Sequence, residues 1–400
     1  MKRRKHCKKF GYLLATILIL TSCQKDTFVE QTSKIDVTLV YPEIEGDYAV
    51  ESITVTLKEA NSGASYTVNP TDITAESIET TLPYGNYSAS LEGDVKVAEN
   101  DKTYKLKAYL PDITVNNAAT TLSLKMFLSD PQAKFVIKEI FFTGTLTPEQ
   151  KKYNGDKYFV IYNNSTDTLY ADGLFIAQST FLTTSKIAYS PDRIEEGVTS
   201  SEIIMLPGNG SDYPIYPGQE FVVANNAINH KELNPNSLDL SNAKFEIDLI
   251  SSINVDNPSV PNTISLVNTM TMHIQGYKSY VIGKLPEDVS KEEFVTSSAY
   301  EFSYESGSGI PMTRQGNIIP NEYIMDAVNL SVKNGFKWLV TSPTLDIGWT
   351  YCGKMAGDSD RYGKAVIRKS LSTSNGGIQF LKDTNNSTED FDALQIPSQK

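Results

Sequence analysis

Between residues 33 and 128 apolar and polar side chains alternate with a period of two. Ile35, Val37, Leu39 and Tyr41 are separated by Asp36, Thr38 and Val40, and Ile53, Val55 and Leu57 by Thr54 and Thr56. Tyr87, Ala89 and Leu91 continue the pattern, as do Leu122, Leu124, Met126 and Leu128. Successive side chains of a strand point to opposite faces, so the alternation puts one face in a core and the other in water. It predicts an antiparallel sandwich. Asn61-Ser62-Gly63, Pro83-Tyr84-Gly85-Asn86 and Glu92-Gly93-Asp94 read as turns between its strands.

A second pattern begins at residue 134. Residues 135–142 and 157–162 are apolar β-type runs, 163–168 is a polar turn and 169–176 is a third run. They predict the opening strands of a second sandwich, with Phe159 and Ile161 on a central strand. Ser129-Asp130-Pro131 marks the boundary, because proline cannot donate to a sheet ladder. Trp338 and Trp349 are expected to fill the core. Residues 225–340 read as a long insertion that the sandwich does not need. It holds a strand-like run at 272–282, a helical candidate at 288–294 and the aromatic and acidic run Tyr300-Glu301-Phe302-Ser303-Tyr304. Loops on a rigid scaffold carry function more often than the scaffold does. His230, Tyr300 and Tyr304 are therefore the candidate ligand-binding residues.

The N-terminus adds a location. Residues 1–9 carry six Lys or Arg, residues 10–20 are largely apolar, and Thr21-Ser22-Cys23 follows. A charged start, a short apolar segment and a small-residue site describe a secretory leader, too short to span a bilayer stably. Leu20-Thr21-Ser22-Cys23 resembles a bacterial lipobox, which implies cleavage before Cys23 and acylation of Cys23. Several acyl chains suffice for stable membrane anchoring. Gln24-Lys25-Asp26 resembles the short tag that sends lipoproteins of the Bacteroides group to the outer face of the outer membrane. The expected location is thus the outer membrane, lipid-anchored at the cell surface.

Charge and cysteine use narrow the chemistry. The whole chain carries a formal charge of −12, and loss of the six leader cations makes the remainder more acidic still. Such a body argues against binding nucleic-acid phosphates. Of the cysteines, Cys7 belongs to the leader and Cys23 to the anchor, leaving Cys352 as a buried small hydrophobe with no disulfide partner. His230-Lys231-Glu232 has the His-x-Glu spacing of zinc deaminases without any Cys-x-x-Cys. Residues 383–394 start like a calcium loop but place Thr388 and Leu394 where an EF-hand needs Gly and Glu. An irregular calcium site at Asp358, Asp360 or residues 383–390 and a hydrolytic carboxylate pair, Asp326 with Glu322, are minor alternatives. No metal, cofactor or enzymatic activity is expected. Arg368 is expected to pair with the 383–390 loop at the surface, worth at most about 1 kcal/mol.

Several motifs carry resemblances. Leu82-Pro83-Tyr84-Gly85-Asn86-Tyr87-Ser88-Ala89-Ser90-Leu91 resembles a hairpin of carboxypeptidase-regulatory-like and other prealbumin-type domains, which usually act as stalks. Tyr158-Phe159-Val160-Ile161-Tyr162-Asn163-Asn164-Ser165, Tyr216-Pro217-Gly218, Arg368 and Asp383-Thr384-Asn385-Asn386 resemble, in order, the pieces of a lamin-tail domain. The whole chain resembles an uncharacterised family of two-domain Bacteroides-group lipoproteins. These resemblances imply an all-β chain: a leader over 1–22, a lipidated linker over 23–33, and two immunoglobulin-like or prealbumin-like β-sandwich domains in tandem. Those domains would span 34–129 and 134–400, with long loop insertions in the second. The expected function is a non-enzymatic binding module that captures a nutrient or metal complex for a TonB-dependent outer-membrane transporter. The alternative is a structural or adhesive surface protein that binds host or neighbouring-cell polymers.

Overall fold

The computed structural model describes residues 31–399 except 43, 45–46, 71, 73–74, 99–101, 130–133, 166, 249–254 and 376–377. The leader, Cys23 and the boundary residues Asp130 and Pro131 lie outside the described residues. The described residues are nearly all β-structure, arranged as packed sheets with no closed barrel. None of their helices is long and apolar enough to cross a membrane.

In the first half, strands Ser77–Pro83, Thr32–Val40 and Ala119–Lys125 form a three-stranded sheet. Thr32–Val40 runs antiparallel to the first and parallel to the last. Ser65–Val68, Tyr48–Glu59, Gly85–Val97, Lys102–Val115 and Phe127–Ser129 form a five-stranded antiparallel sheet. Ile35, Val37 and Leu39 of the small sheet share one buried core with Ile53, Val55, Leu57 and Leu91 of the large one. Each such aliphatic side chain contributes about 1.5–3 kcal/mol on burial. The odd positions of Tyr48–Glu59 face that core, so Ser52, Thr54, Thr56 and Lys58 face away from it.

Two expectations for this half change. Glu92-Gly93-Asp94 is no turn, because Gly93 lies inside strand Gly85–Val97 opposite Ile53. A Cβ there would sit 2.3 Å from the Ser52 carbonyl oxygen, and glycine marks that close backbone approach. The apolar run over 122–128 is two strands, Ala119–Lys125 in the small sheet and Phe127–Ser129 in the large one. Tyr87 is a core residue whose hydroxyl donates to the Pro83 carbonyl at 2.9 Å.

The second half packs two larger sheets. One runs Phe245–Glu246, Glu220–Ala224, Tyr158–Asn163, Phe135–Phe141, Ala365–Arg368 and Phe391–Gln395. The other runs Tyr189–Ser190, Ala299–Glu305, Pro311–Pro320, Gly197–Met205, Phe175–Ser179, Tyr280–Gly283 and Ile324–Val328, with Ile264–Val267 also paired to Gly197–Met205. Phe159, Ile161 and Ile140 meet Ile176, Ile204, Tyr280 and Ile282 between them. Tyr158–Asn163 is central and buried on both faces, since Tyr158 and Val160 pack against Leu238 and Leu240 on the other side. That double burial is why its sequence reads as an unbroken apolar run.

Residues 225–340 are not an insertion outside the sandwich. They supply Ile264–Val267, Tyr280–Gly283, Ala299–Glu305, Pro311–Pro320 and Ile324–Val328, five strands of the second sheet, and Tyr280, Ile282 and Val328 lie in its core. The run at 272–282 forms a strand only at Tyr280–Gly283, and the helix is Lys291–Ser297, capped by the Ser290 hydroxyl accepting from the Glu293 amide at 3.1 Å. The run at 169–176 also divides. Leu169–Tyr170 pairs with Pro214–Ile215, and Phe175–Ser179 enters the second sheet after a turn at Gly173 with φ 67°. Asp172 holds this turn by accepting from the amides of Gly210, Asp212 and Tyr213 at 2.8–3.0 Å.

Candidate ligand-binding cleft

The outward face of the first half's large sheet is not bare surface. Cross-strand register aligns Ser52 with Asp94, Thr54 with Glu92 and Thr56 with Ser90, and places Lys105 and Lys107 beside Asp94 and Glu92. This ladder of hydroxyls and charges forms one wall of a cleft of about 980 Å³. The opposite wall comes from the second half, through the loop containing Phe336, Leu339, Ile347 and Trp349 and the loop containing Thr384, Asn386 and Thr388.

The second wall carries a stacked aromatic pair. The rings of Phe336 and Trp349 stack with centroids 4.8 Å apart and planes 8° from parallel, and Tyr351 leans on Trp349 at 5.8 Å. Phe336 and Trp349 are half-buried. The backbone of Trp349 is pinned to Thr388: its amide donates to Thr388 Oγ1 at 3.0 Å, and Thr388 Oγ1 donates to its carbonyl at 2.9 Å. Gly348 permits this contact, since a Cβ there would lie 2.0 Å from Asn386 Oδ1. Behind it, buried Asp346 accepts from the Gly348 amide at 3.0 Å and the Ser387 amide at 2.7 Å. Burial pushes the Asp346 carboxyl up to about 6 despite these donors.

A buried ionic knot fixes the second loop. Arg368 is 3% exposed and pairs with Asp326 at 2.6 Å, Asp383 at 3.2 Å and Asp390 at 3.7 Å. Lys134 pairs with Asp383 at 2.8 Å. Lys107, from the first half, donates its ammonium to the Thr384 carbonyl. Burial pulls the Asp383 carboxyl up, but Lys134 and Arg368 outweigh it and hold the group well below the usual carboxylate range. Burial also lowers the Lys107 pKa, against the pull of Asp383 and Glu92. The pairing of Arg368 with residues 383–390 thus forms as expected, but in the interior and not at the surface. The reason is that Arg368 lies between the two sheets of the second half, where it meets the Ile137 carbonyl of one and Asp326 of the other. The same pairs are therefore far more costly to break than exposed ones.

The candidate residues named from sequence lie elsewhere. His230 is wholly buried, its Nδ1 2.6 Å from the Tyr153 hydroxyl and its Nε2 2.8 Å from the Asn226 carbonyl. Burial lowers its pKa more than Asn226 and Asp156 raise it, which favours a neutral ring donating from Nε2. It is a structural hydrogen-bonding residue with no open face for a ligand. Tyr300 and Tyr304 flank Phe302 on strand Ala299–Glu305 and pack on the Phe181, Tyr189 and Val340 cluster. The Tyr300 hydroxyl meets Thr199 Oγ1 at 2.5 Å, and the Tyr304 hydroxyl accepts from Arg314 at 3.0 Å. Neither lines the cleft.

Asp326 is committed to Arg368 and to the Ile137 amide at 2.6 Å, while Glu322 is exposed on a short 3₁₀ turn, so the two form no catalytic pair. Asp358 caps the turn Ser359–Arg361 through the Asp360 amide at 3.0 Å. Asp383 and Asp390 are taken by cations and by Thr384. Among the described residues no three His, Cys, Asp or Glu side chains gather as metal ligands. Cys352 is 1% exposed within the main core, where burial pushes its thiol well up. Trp338 packs on the Phe181 cluster as a half-buried core residue. Trp349 does not fill the core, because Thr388 pins its backbone at the rim of the cleft. The signal that could have marked it is its setting: Phe336 and Trp349 bracket a strand-free, turn-rich tract.

Most of the second half, with both loops of this wall, now has a counterpart. Residues 216–398 match the family described as "Protein of unknown function (DUF4876)". The matched DUF4876 region carries Phe336, Trp349, Arg368 and the 383–390 loop. The chain is also similar to the crystal structure of a DUF4876 family protein from Bacteroides thetaiotaomicron VPI-5482, with TM-score 0.57 and 22% identity. That likeness covers 92% of this chain and 98% of that chain, so it concerns the fold of both halves. No curated protein matches the chain. These comparisons support a DUF4876 domain and do not confirm the lamin-tail or prealbumin resemblance.

Proposed function

We propose that the protein is a lipid-anchored surface binding module that captures a small solute in the cleft between its two halves. The cleft carries the reading. It is large enough for a drug-sized molecule or bigger, and it sets a stacked aromatic pair against a wall of polar groups, the composition of a recognition site. The Arg368 knot fixes the loop that carries Thr384, and the Lys107 to Thr384 contact ties that loop to the sheet wall, which lowers the ordering cost of binding. The leader and Cys23 support attachment to the outer membrane, where a captured solute would be passed to a TonB-dependent transporter.

The full chain, tagged after Lys400 and isolated from its native membrane in mild detergent, tests this reading. Native mass spectrometry is expected to find a retained small molecule, and a transporter is expected to co-purify. A chain that carries no solute and takes up none from the periplasmic or medium fractions would contradict it.

A further inference from the structure

Resting on that reading, we infer that the solute is a neutral carbohydrate chain, with one ring seated on an outer face of the stacked Phe336–Trp349 pair and its hydroxyls met by the sheet wall. Three features of the cleft select this class over others.

First, the charges lining the cleft cancel and are mostly used within the protein. Lys105 holds Asp94 at 2.5 Å, Lys382 lies 3.5 Å from Glu389, and Lys107 is bound to the Thr384 carbonyl beside Asp383. The lining holds as many lysines as carboxylates, Lys58 and Glu92 among them, so an anion and a cation each meet as many repelling as attracting groups. Neither gains a net charge partner, so the cleft favours an uncharged guest.

Second, the polar wall offers unused hydrogen-bonding groups. The hydroxyls of Thr54, Thr56, Ser88 and Ser90 line the cleft, are half-buried and have no partner among the described residues. Each both donates and accepts, which suits a ligand whose own polar groups are hydroxyls. Each can exchange a water for a ligand hydroxyl, with a modest net gain per hydrogen bond.

Third, the apolar surface is a stacked aromatic pair set opposite those hydroxyls, which leaves a sugar only the ring face that the stack does not cover. A π-face is electronegative, so it attracts the weakly positive C–H groups on the flat side of a sugar ring while the equatorial hydroxyls remain free to point outward. The Trp349 indole N–H also lacks a partner among the described residues and can donate to a ring or glycosidic oxygen. The row Ser52, Thr54, Thr56, Lys58 extends about 20 Å at the rise of a strand, a length that fits several linked rings better than one.

The experiment titrates the full-length protein with a panel of neutral hexasaccharides of α- and β-linked glucose, mannose and xylose by isothermal calorimetry. Nucleosides, amino acids and tripeptides serve as the comparison panel. At least one hexasaccharide is expected to bind. Trp349→Ala should weaken that binding at least tenfold, and Thr54→Val with Ser90→Ala about threefold or more, with melting temperatures close to wild type. Binding of a nucleoside or peptide at Trp349, with no hexasaccharide bound, would overturn the carbohydrate inference and leave the solute-binding reading standing. Hexasaccharide binding that Trp349→Ala and the double variant leave unchanged would also overturn it. No probe of either panel binding would count against both.

Discussion

Arg368 Nη2 lies 2.6 Å from Asp326 Oδ2 with both side chains almost fully removed from water. One residue comes from strand Ala365–Arg368 of the first large sheet and the other from Ile324–Val328 of the second, so the pair links the two layers of the sandwich. Arg368 Nε also donates to the Ile137 carbonyl at 2.8 Å, and the Asp326 carboxylate accepts from the Ile137 amide at 2.6 Å. Removing Arg368 takes the paired cation from Asp326 and leaves Asp383 and Asp390 with one fewer. Arg368→Ala is expected to cost about 3–5 kcal/mol in urea unfolding, the range for breaking one side of a buried pair. A loss under about 1 kcal/mol would mean that the pair is solvated.

The 383–390 loop should make the fold sensitive to acid. Asp383 has its pKa lowered in the folded state, by Lys134 and Arg368 against the opposing effect of burial. Its contribution is therefore fully present above the unfolded carboxylate value near 3.9, and is lost as pH falls below that value toward the folded one. Stability is expected to fall steeply below about pH 4, and Asp383→Asn should flatten that part of the profile while lowering stability at pH 7. A profile below pH 4 that Asp383→Asn leaves unchanged would assign the acid sensitivity to other carboxylates.

Lys157 gives the opposite slope. It is 3% exposed, donates to the Met272 carbonyl at 2.9 Å, and burial lowers its pKa to about 8. The unfolded chain binds more protons than the folded one between that value and about 10.4, so this group makes stability rise with pH across that window. Charging it costs about 3 kcal/mol at neutral pH on that shift. Lys157→Met is expected to stabilise the protein at pH 7 and to remove part of the rise above pH 8. Destabilisation at pH 7 would show that the hydrogen bond to Met272 outweighs the burial cost.

His230 should matter to stability and not to binding. Tyr153→Phe and His230→Ala each remove one end of the 2.6 Å hydrogen bond, and the expected loss is about 1–3 kcal/mol. Ligand affinity of the folded variants is expected to stay within twofold of wild type. A tenfold loss of affinity would return His230 to the site.

How much the sequence disclosed depends on how each residue's pattern arises. Ile53, Val55 and Leu57 alternate with Thr54 and Thr56 because one sheet face is buried, and that pattern predicts the strand directly. It does not reveal that the polar face is covered in turn, since Thr54 against water and Thr54 against a cleft have the same sequence. Tyr158–Asn163 was legible because double burial makes a continuous apolar run. Tyr280–Gly283 was read only as the end of a longer run over 272–282, and Ile324–Val328 was not read, because strands of four or five residues between long loops leave too few positions to establish a period. The partnership of Arg368 with 383–390 could be read, but its depth could not, because burial there is supplied by strands far away in sequence, through Ile137 and Asp326. His230 was a misleading candidate for a related reason: its hydrogen-bond partners, Tyr153 and the Asn226 carbonyl, are set by tertiary contact.

The cleft itself is tested most directly by its own tryptophan. The chain has two tryptophans, and Trp338 is held apart on the Phe181 cluster by its indole N–H donating to the Leu182 carbonyl at 2.8 Å. In Trp338→Phe, emission reports Trp349 alone, with Trp349→Phe as the matching control. Addition of the low-mass fraction from the native growth medium is expected to shift or quench Trp349 emission saturably, and to leave Trp338 emission in the control unchanged. Solute retention detected by mass spectrometry with no change in Trp349 emission would contradict the account, because the ligand would then sit somewhere other than the cleft.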